Sequence, residues 1–341
     1  VFKAAGSVAK YMASRSIASE RGTDIVRHFE DISSDGPWTG WEQVMIASKW
    51  MSSLGFKTQI YWAQSIPAGS DGPASPKIWR EPILRISDAG GREIYYKAGQ
   101  NGNSETMHPS LFGQTLYRIG NAGIERLTLP RGFASDHIMR QNWKTSINEN
   151  GTATGTLEIT LTGAWLDVFA IDIDNLPSDM TGVILEAMRF NVPGITFETT
   201  SVKLVESGCR IIMSVNAAPG IVSGSSMLLK LMGGIPNCFE EIPTGGTKYT
   251  LRFPFIFEIN SSISTPKGYR ALDLPGKLQA GSSSEMLEQS VVHWPKRALA
   301  EATCRWTVRA PEIDEYTSGR VSDHIAMVNG WPDVTVPLRK R

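Results

Sequence analysis

The side chains able to do covalent chemistry are few and poorly spaced for it. Three cysteines stand at Cys209, Cys238 and Cys304, none in a CxxC or a Cys/His ligand spacing. That pattern speaks against structural zinc. Three is also a poor number for a disulfide framework. The plain reading is three small buried hydrophobes, with one disulfide plus one free thiol as the other arrangement. Thiol acyl transfer needs a thiolate, an imidazole and a carboxylate that orients it. Yet no Cys precedes Cys209, and no His stands between His28 and His108. Cys304, His293 and Asp314 are near one another in sequence, but Cys304 sits in an alternating run that turns it toward a core. Glu81 and Glu93 form a carboxylate pair of the kind used in acid–base work, and read more simply as solvated strand positions. The Gly-rich run 220–234 lacks the GxxxxGK[ST] spacing of a phosphate loop. It reads as a loop entering a short apolar helix or strand, its Met and Leu residues able to form an interface patch. No cofactor and no metal are expected.

Aromatic residues are concentrated in the first hundred positions. Trp38, Trp41, Trp62, Trp79, Tyr95 and Tyr96, with Trp50 and Tyr61, either floor a packed cleft or offer rigid contact area for sugar rings or a partner's peptide. The formal net charge of the 341 residues is zero. This gives no electrostatic footprint for nucleic acid and little charge repulsion against self-association, as suits a subunit of an assembly. No apolar run is long enough to span a membrane. The chain opens on Val1, so a missing leader says little about compartment. Asn150-Gly151-Thr152 and Asn260-Ser261-Ser262 match the glycosylation pattern and read as turn residues.

The elements that must position these residues follow from periodicity. Residues 1–30 read as helix. A second helix runs from Thr39 or Gly40 to Leu54, with Val44, Ala47, Met51 and Leu54 at three- and four-residue spacing and Gly55 as its stop. Strands follow at 57–63, 83–86 and 93–97, the last two across an Asp88–Gly91 turn, and 65–76 is loop. From about residue 140 the texture becomes β. Runs at 143–148 and 154–161 flank Glu149-Asn150-Gly151, a hairpin signal. One helix falls near 179–190. Further strands fall at 197–205, 210–215, 249–257, 291–294 and 302–309, which suggests an antiparallel sandwich.

The order of these elements resembles the bacterial transglutaminase-like (papain-type) proteins that carry a C-terminal β-rich domain of unknown function. In that family a Cys opens the helix ending in a Leu-Gly pair, here Leu54-Gly55-Phe56. A His and then an Asp follow on later strands. Matching those motifs puts the Cys position at Gly40 or Trp41, the His position at Glu81 and the Asp position at Ala98. Leu251–Phe255 and the run Pro266-Lys267-Gly268-Tyr269-Arg270 to Leu274-Pro275 also resemble family strands and signatures. The resemblance implies an α+β chain: a degenerate core at 1–110, a linker at 111–139, and an antiparallel β-sandwich-type domain at 140–341. It implies a processed or truncated product, exported to the periplasm or cell surface. The implied function is a non-catalytic binding or structural subunit, a secreted pseudoenzyme with protein partners. Two alternatives stand beside it: a thiol-dependent acyl-transfer enzyme with a partner-supplied or unrecognised nucleophile, and a carbohydrate-binding module.

Overall fold

The computed structural model describes residues 11, 32, 38–63, 81–98, 107, 111, 113–120, 123–130, 132–171, 173, 176–205, 208–240, 242, 249–251, 253–310, 312–313 and 315–340. The helix expected over 1–30 and the loop expected over 65–76 lie outside them, apart from single positions. The chain divides into two units, Val1–Gly132 and Phe133–Arg341. Among the described residues it is mostly β: four α-helices stand against twenty-one strands in five sheets. This corrects the expected α+β fold class with a transglutaminase-like core. The expected helix from Thr39 or Gly40 to Leu54 and the strands at 57–63, 83–86 and 93–97 are present, but the strands join two more, at 115–120 and 123–128, in one antiparallel sheet, and strands dominate the rest of the described residues.

In the first unit, helix α1 (Gly40–Ser53) begins at a capping box. The Thr39 hydroxyl accepts from the Glu42 amide at 3.3 Å, and Glu42 Oε2 accepts from the Thr39 amide at 2.9 Å. Such reciprocal caps satisfy two orphan donors and contribute about 1 kcal/mol. Val44, Ala47 and Met51 then pack with Trp38, Leu84, Ile86 and Tyr96. The sheet runs β3 (Glu93–Lys97), β2 (Glu81–Ser87), β1 (Lys57–Ala63), β4 (Thr115–Gly120), β5 (Gly123–Thr128), every pairing antiparallel. Residues expected to form a linker therefore carry the β4–β5 hairpin. On the sheet's other face Tyr61, Ala63 and Ile83 pack with Leu111, Leu116 and Leu129. Beside them Arg85 donates to Gln59 at 3.1 Å and to the Tyr61 hydroxyl at 3.3 Å, and pairs with Glu93.

The second unit is organised by an eight-stranded sheet in the order β17 (Leu278–Gly281), β18 (Glu285–Trp294), β19 (Leu299–Val308), β15 (Phe255–Ser264), β6 (Ile138–Ile147), β7 (Ala153–Thr162), β10 (Gly208–Ala217), β9 (Thr196–Val205). The β6–β15 pair is parallel, so the sheet is mixed, not purely antiparallel as expected. The β6–β7 hairpin turns at Gly151, whose φ is +86°. A Cβ there would also stand 2.1 Å from the Gly220 carbonyl oxygen, so only glycine fits. Alternation gives the sheet one buried face. It carries Trp143, Leu157, Ile159, Ile211, Met213, Phe257, Ile259, Cys304 and Trp306, all at most 1% exposed. The 220–234 run forms strands β11 (Gly220–Ser223), β12 (Ser226–Lys230) and the start of β13 (Gly234–Pro236). A four-stranded sheet joins β11 and β12 to β21 (Thr335–Lys340) and β16 (Tyr269–Ala271). Helices α2 (Ala164–Val168), α3 (Met180–Ala187) and α4 (Glu315–Asn329) complete the unit.

His137, 5% exposed, packs edge-on to Phe253, and its Nδ1 accepts from the Ala164 amide at 3.1 Å. Burial pushes its pKa down to about 4. The neutral ring is the one that folds, so its contribution is complete above the unfolded value near 6.5 and is lost as pH falls toward 4. The wild type is expected to lose up to about 3 kcal/mol relative to His137→Asn across that window, since Asn keeps an acceptor but no titrating ring. Urea unfolding of both proteins at pH 7 and pH 4.5 checks it, and parallel pH profiles would refute it.

Candidate functional site

Of the positions matched to a triad, Gly40 and Ala98 are neighbours, whereas Glu81 stands on the other face of the sheet. Gly40 opens α1, and a Cβ built on it would lie 3.4 Å from the Ala98 Cβ. Trp41, one residue on, meets Trp62 with ring centroids 4.2 Å apart, tilted at 58°. Glu81 has the strand parity of Ile83, which faces away from α1, and it pairs instead with Lys97 at 2.8 Å. Of the aromatics, Trp38 (1% exposed) and Tyr96 (6%) are core. Tyr95 lies on the opposite face of β3 and donates to Glu93 Oε2 at 2.7 Å. Trp79 lies outside the described residues. Trp41 and Trp62 remain as a half-buried pair.

The late cysteine is equally removed from nucleophilic work. Cys304 is fully buried, accepts from Gln289 Nε2 at 3.4 Å, and burial pushes its thiol up to about 12. In the β18–β19 register Cys304 faces Gln289, whereas His293 faces Ala300. Four residues of strand put His293 about 13 Å along the ladder. Its Nδ1 already accepts from the Ala271 amide at 3.2 Å. Asp314 lies outside the described residues. Cys209 is buried too, its pKa raised to about 11 by desolvation. No group of three His, Cys, Asp or Glu able to hold a metal occurs among the described residues, and none of their helices is long and apolar enough to cross a membrane.

A concave feature lies on the outer face of the eight-stranded sheet. A groove of about 770 Å³ crosses it from β18 to β10. Register places its middle row side by side: Ser290, Thr303, Asn260, Asn142, Glu158 and Ile212, one from each successive strand. Hydrogen bonds run along this row. Thr303 Oγ1 donates to Asn260 Oδ1 at 3.3 Å, Asn260 Nδ2 donates to Asn142 Oδ1 at 3.2 Å, and Asn142 Nδ2 donates to Glu158 Oε1 at 3.4 Å. The rows above and below carry both charge signs. Arg140 donates to Glu258 at 3.1 Å in one, and Glu301, Ser262 and Lys144 line up in the other. Six strands span about 24 Å at ~4.8 Å per gap. The groove thus offers amides, hydroxyls and carboxylates at regular intervals, nearly balanced in charge and half open to water.

Sequence reading missed this site. It took Asn260-Ser261-Ser262 as a turn because Asn and Ser favour turns. The signal that overrides it is alternation: Phe255, Phe257, Ile259, Ser261 and Ile263 are all buried, which turns Glu258, Asn260 and Ser262 outward.

No protein-family profile matches the chain. No curated protein sequence matches it. Among solved structures it is similar to a protein of Parabacteroides distasonis described as a "putative protease". The TM-score is 0.49 and the identity 7%, over 99% of this chain and 55% of that one. The chain therefore spans about half the length of that structure, and a likeness of this size bears on neither fold nor chemistry.

Proposed function

We propose that the chain is a non-catalytic binding subunit whose second unit seats an extended, hydrogen-bonding ligand in the outer-face groove. The observation that carries this reading is the Thr303–Asn260–Asn142–Glu158 row lying in the 770 Å³ groove. Each Asn amide has further donor or acceptor capacity beyond the bond that fixes it. The row is thus pre-ordered, and little side-chain entropy is lost when a ligand arrives. The near balance of charge disfavours polyanions, which would need a cationic track. Burial of Cys209 and Cys304 supports a binding role over thiol chemistry at those two positions.

The test is an array of soluble oligosaccharides and unfolded polypeptides probed with the whole chain and with the Asn142→Ala/Asn260→Ala double variant. The wild type is expected to retain a subset of ligands. The double variant should bind them at least tenfold more weakly, with an unchanged melting temperature because both side chains stand on the wet face. Equal binding by the two proteins, or none by the wild type, would overturn the reading.

A further inference from the structure

Beyond Val292, the next outward position on β18 is Trp294, and its setting is unusual for a wet sheet face. Trp294 is 45% exposed and Val292 39%, so two apolar side chains follow one another along the outer face of β18, Val292 lining the groove. The indole is not free to swing. Its Nε1 donates to Glu301 Oε2 at 2.9 Å, and Glu301 faces Val292 across the β18–β19 ladder and lines the groove. The Arg297 guanidinium lies over one face of the ring, its carbon 5.8 Å from the centroid. Arg297 is held there by the turn Pro295–Arg297, which closes through Ala298 at φ +51°. A non-glycine residue in that left-handed region is strained by about 1 kcal/mol or more. Its carbonyl is pinned by the Thr265 amide at 2.7 Å.

From this geometry we infer that Trp294, covered by Arg297 on one face, stacks an uncharged sugar ring on its other face beside Glu301, so that the groove's ligand is a neutral oligosaccharide. The inference rests on the groove reading. A pyranose presents axial C–H bonds to an aromatic face, whose quadrupole attracts them, while its equatorial hydroxyls point sideways. Here those hydroxyls would find Glu301 as acceptor, and the neighbouring ring would lie toward Ser290 and Thr303. Glu301 at the indole edge opposes a uronic acid or phosphorylated sugar in the same seat. A peptide would match the middle row but would have no use for a fixed indole flanked by both charges.

Isothermal titration of the whole chain with cellohexaose, chitohexaose and maltohexaose, and with hexagalacturonate as the anionic control, tests it. At least one neutral hexasaccharide is expected to bind and hexagalacturonate not to. Trp294→Ala should weaken binding about tenfold or more, and Trp294→Phe, which keeps a ring, only a few-fold. Trp294 is a surface residue, so equal melting temperatures certify the folded state of both variants. If Trp294→Ala binds like wild type while the Asn142→Ala/Asn260→Ala variant does not, the subsite is overturned and the groove stands. If hexagalacturonate binds best, or no hexasaccharide binds while polypeptides on the array do, the sugar class is overturned. If neither variant changes the binding of a hexasaccharide, both readings fall.

Discussion

Replacing Glu285 by alanine is expected to cost the second unit about 3–5 kcal/mol and to lower its melting temperature by roughly 6–20 °C. Glu285 is 1% exposed at the start of β18. Its carboxylate accepts from Trp306 Nε1 at 3.2 Å and Arg320 Nε at 3.0 Å, and Oε2 lies 2.8 Å from His324 Nδ1. Arg320 and His324 are four residues apart on α4, so one carboxylate moors that helix to the edge of the sheet. Burial alone would raise the Glu285 pKa. The bonds from His324, Arg320 and Trp306 together outweigh it and leave the pKa lowered. Alanine removes the acceptor but leaves the guanidinium, imidazole and indole N–H in place, and stranded donors are what make such truncations severe.

The pH dependence follows from the lowered pKa. The stability that Glu285 contributes is complete above the unfolded carboxyl value near 4.5 and is lost as pH falls through the folded value. The gap between wild type and Glu285→Gln should therefore be widest at neutral pH and narrow below pH 4.5. Changing Glu285 together with its three partners to apolar residues of similar volume should cost far less than the single alanine, because neither a donor nor a carboxylate is then stranded. Thermal and urea unfolding followed by tryptophan fluorescence gives each number. A loss under 1 kcal/mol for Glu285→Ala would mean that the cluster is not what holds α4.

How much of this was legible beforehand depends on whether local pattern or distant pairing decides. Lys57–Ala63, Glu93–Lys97 and the β6–β7 hairpin announce themselves through alternation and turn residues, and α1 through Thr39, Glu42 and the 3–4 spacing of Val44, Ala47 and Met51. The β4–β5 hairpin did not. Its Ile119 and Ile124 are 72% and 59% exposed, so the apolar alternation that marks a half-buried strand is diluted. Helix α4 was missed because its buried positions include Ser318 and His324 beside Val321, Ile325 and Val328, so its stripe does not read as apolar. The parallel β6–β15 contact joins Asn142 to Asn260, 118 residues apart. No local signal encodes it, and with it goes the middle row of the groove. Fold class erred for a related reason. An order of helix and strands was legible, but which strands complete which sheet is a long-range property.

The residues that betray such long-range packing are polar ones at inward strand positions, and Gln141 gives the sharpest test. In the alternation of β6 it falls between Met139 and Trp143, both buried, and is itself 0% exposed. Its side chain behaves as a short extra strand: Nε2 donates to the Gly234 carbonyl at 2.6 Å, and Oε1 accepts from the Gly234 amide at 2.9 Å and from Trp143 Nε1 at 3.1 Å. Gly234 opens β13, which pairs with β8 (Met188–Phe190) in a ladder of only two strands. A Cβ at Gly234 would lie 2.3 Å from Phe190 Cε1, so that backbone can come this close only as glycine. Gln141→Leu keeps most of the volume and leaves three buried polar groups without partners, at about 1–3 kcal/mol each and less than additively. The expected loss is about 3–5 kcal/mol. Hydrogen exchange should localise it, with amides of 188–190 and 234–236 losing more protection than those of β7 and β10, since a two-stranded ladder has little stability of its own. Uniform loss across the sheet would instead place the defect in core packing around Trp143. A change below 1 kcal/mol would show that water or a shifted backbone satisfies Gly234 as well as the glutamine does.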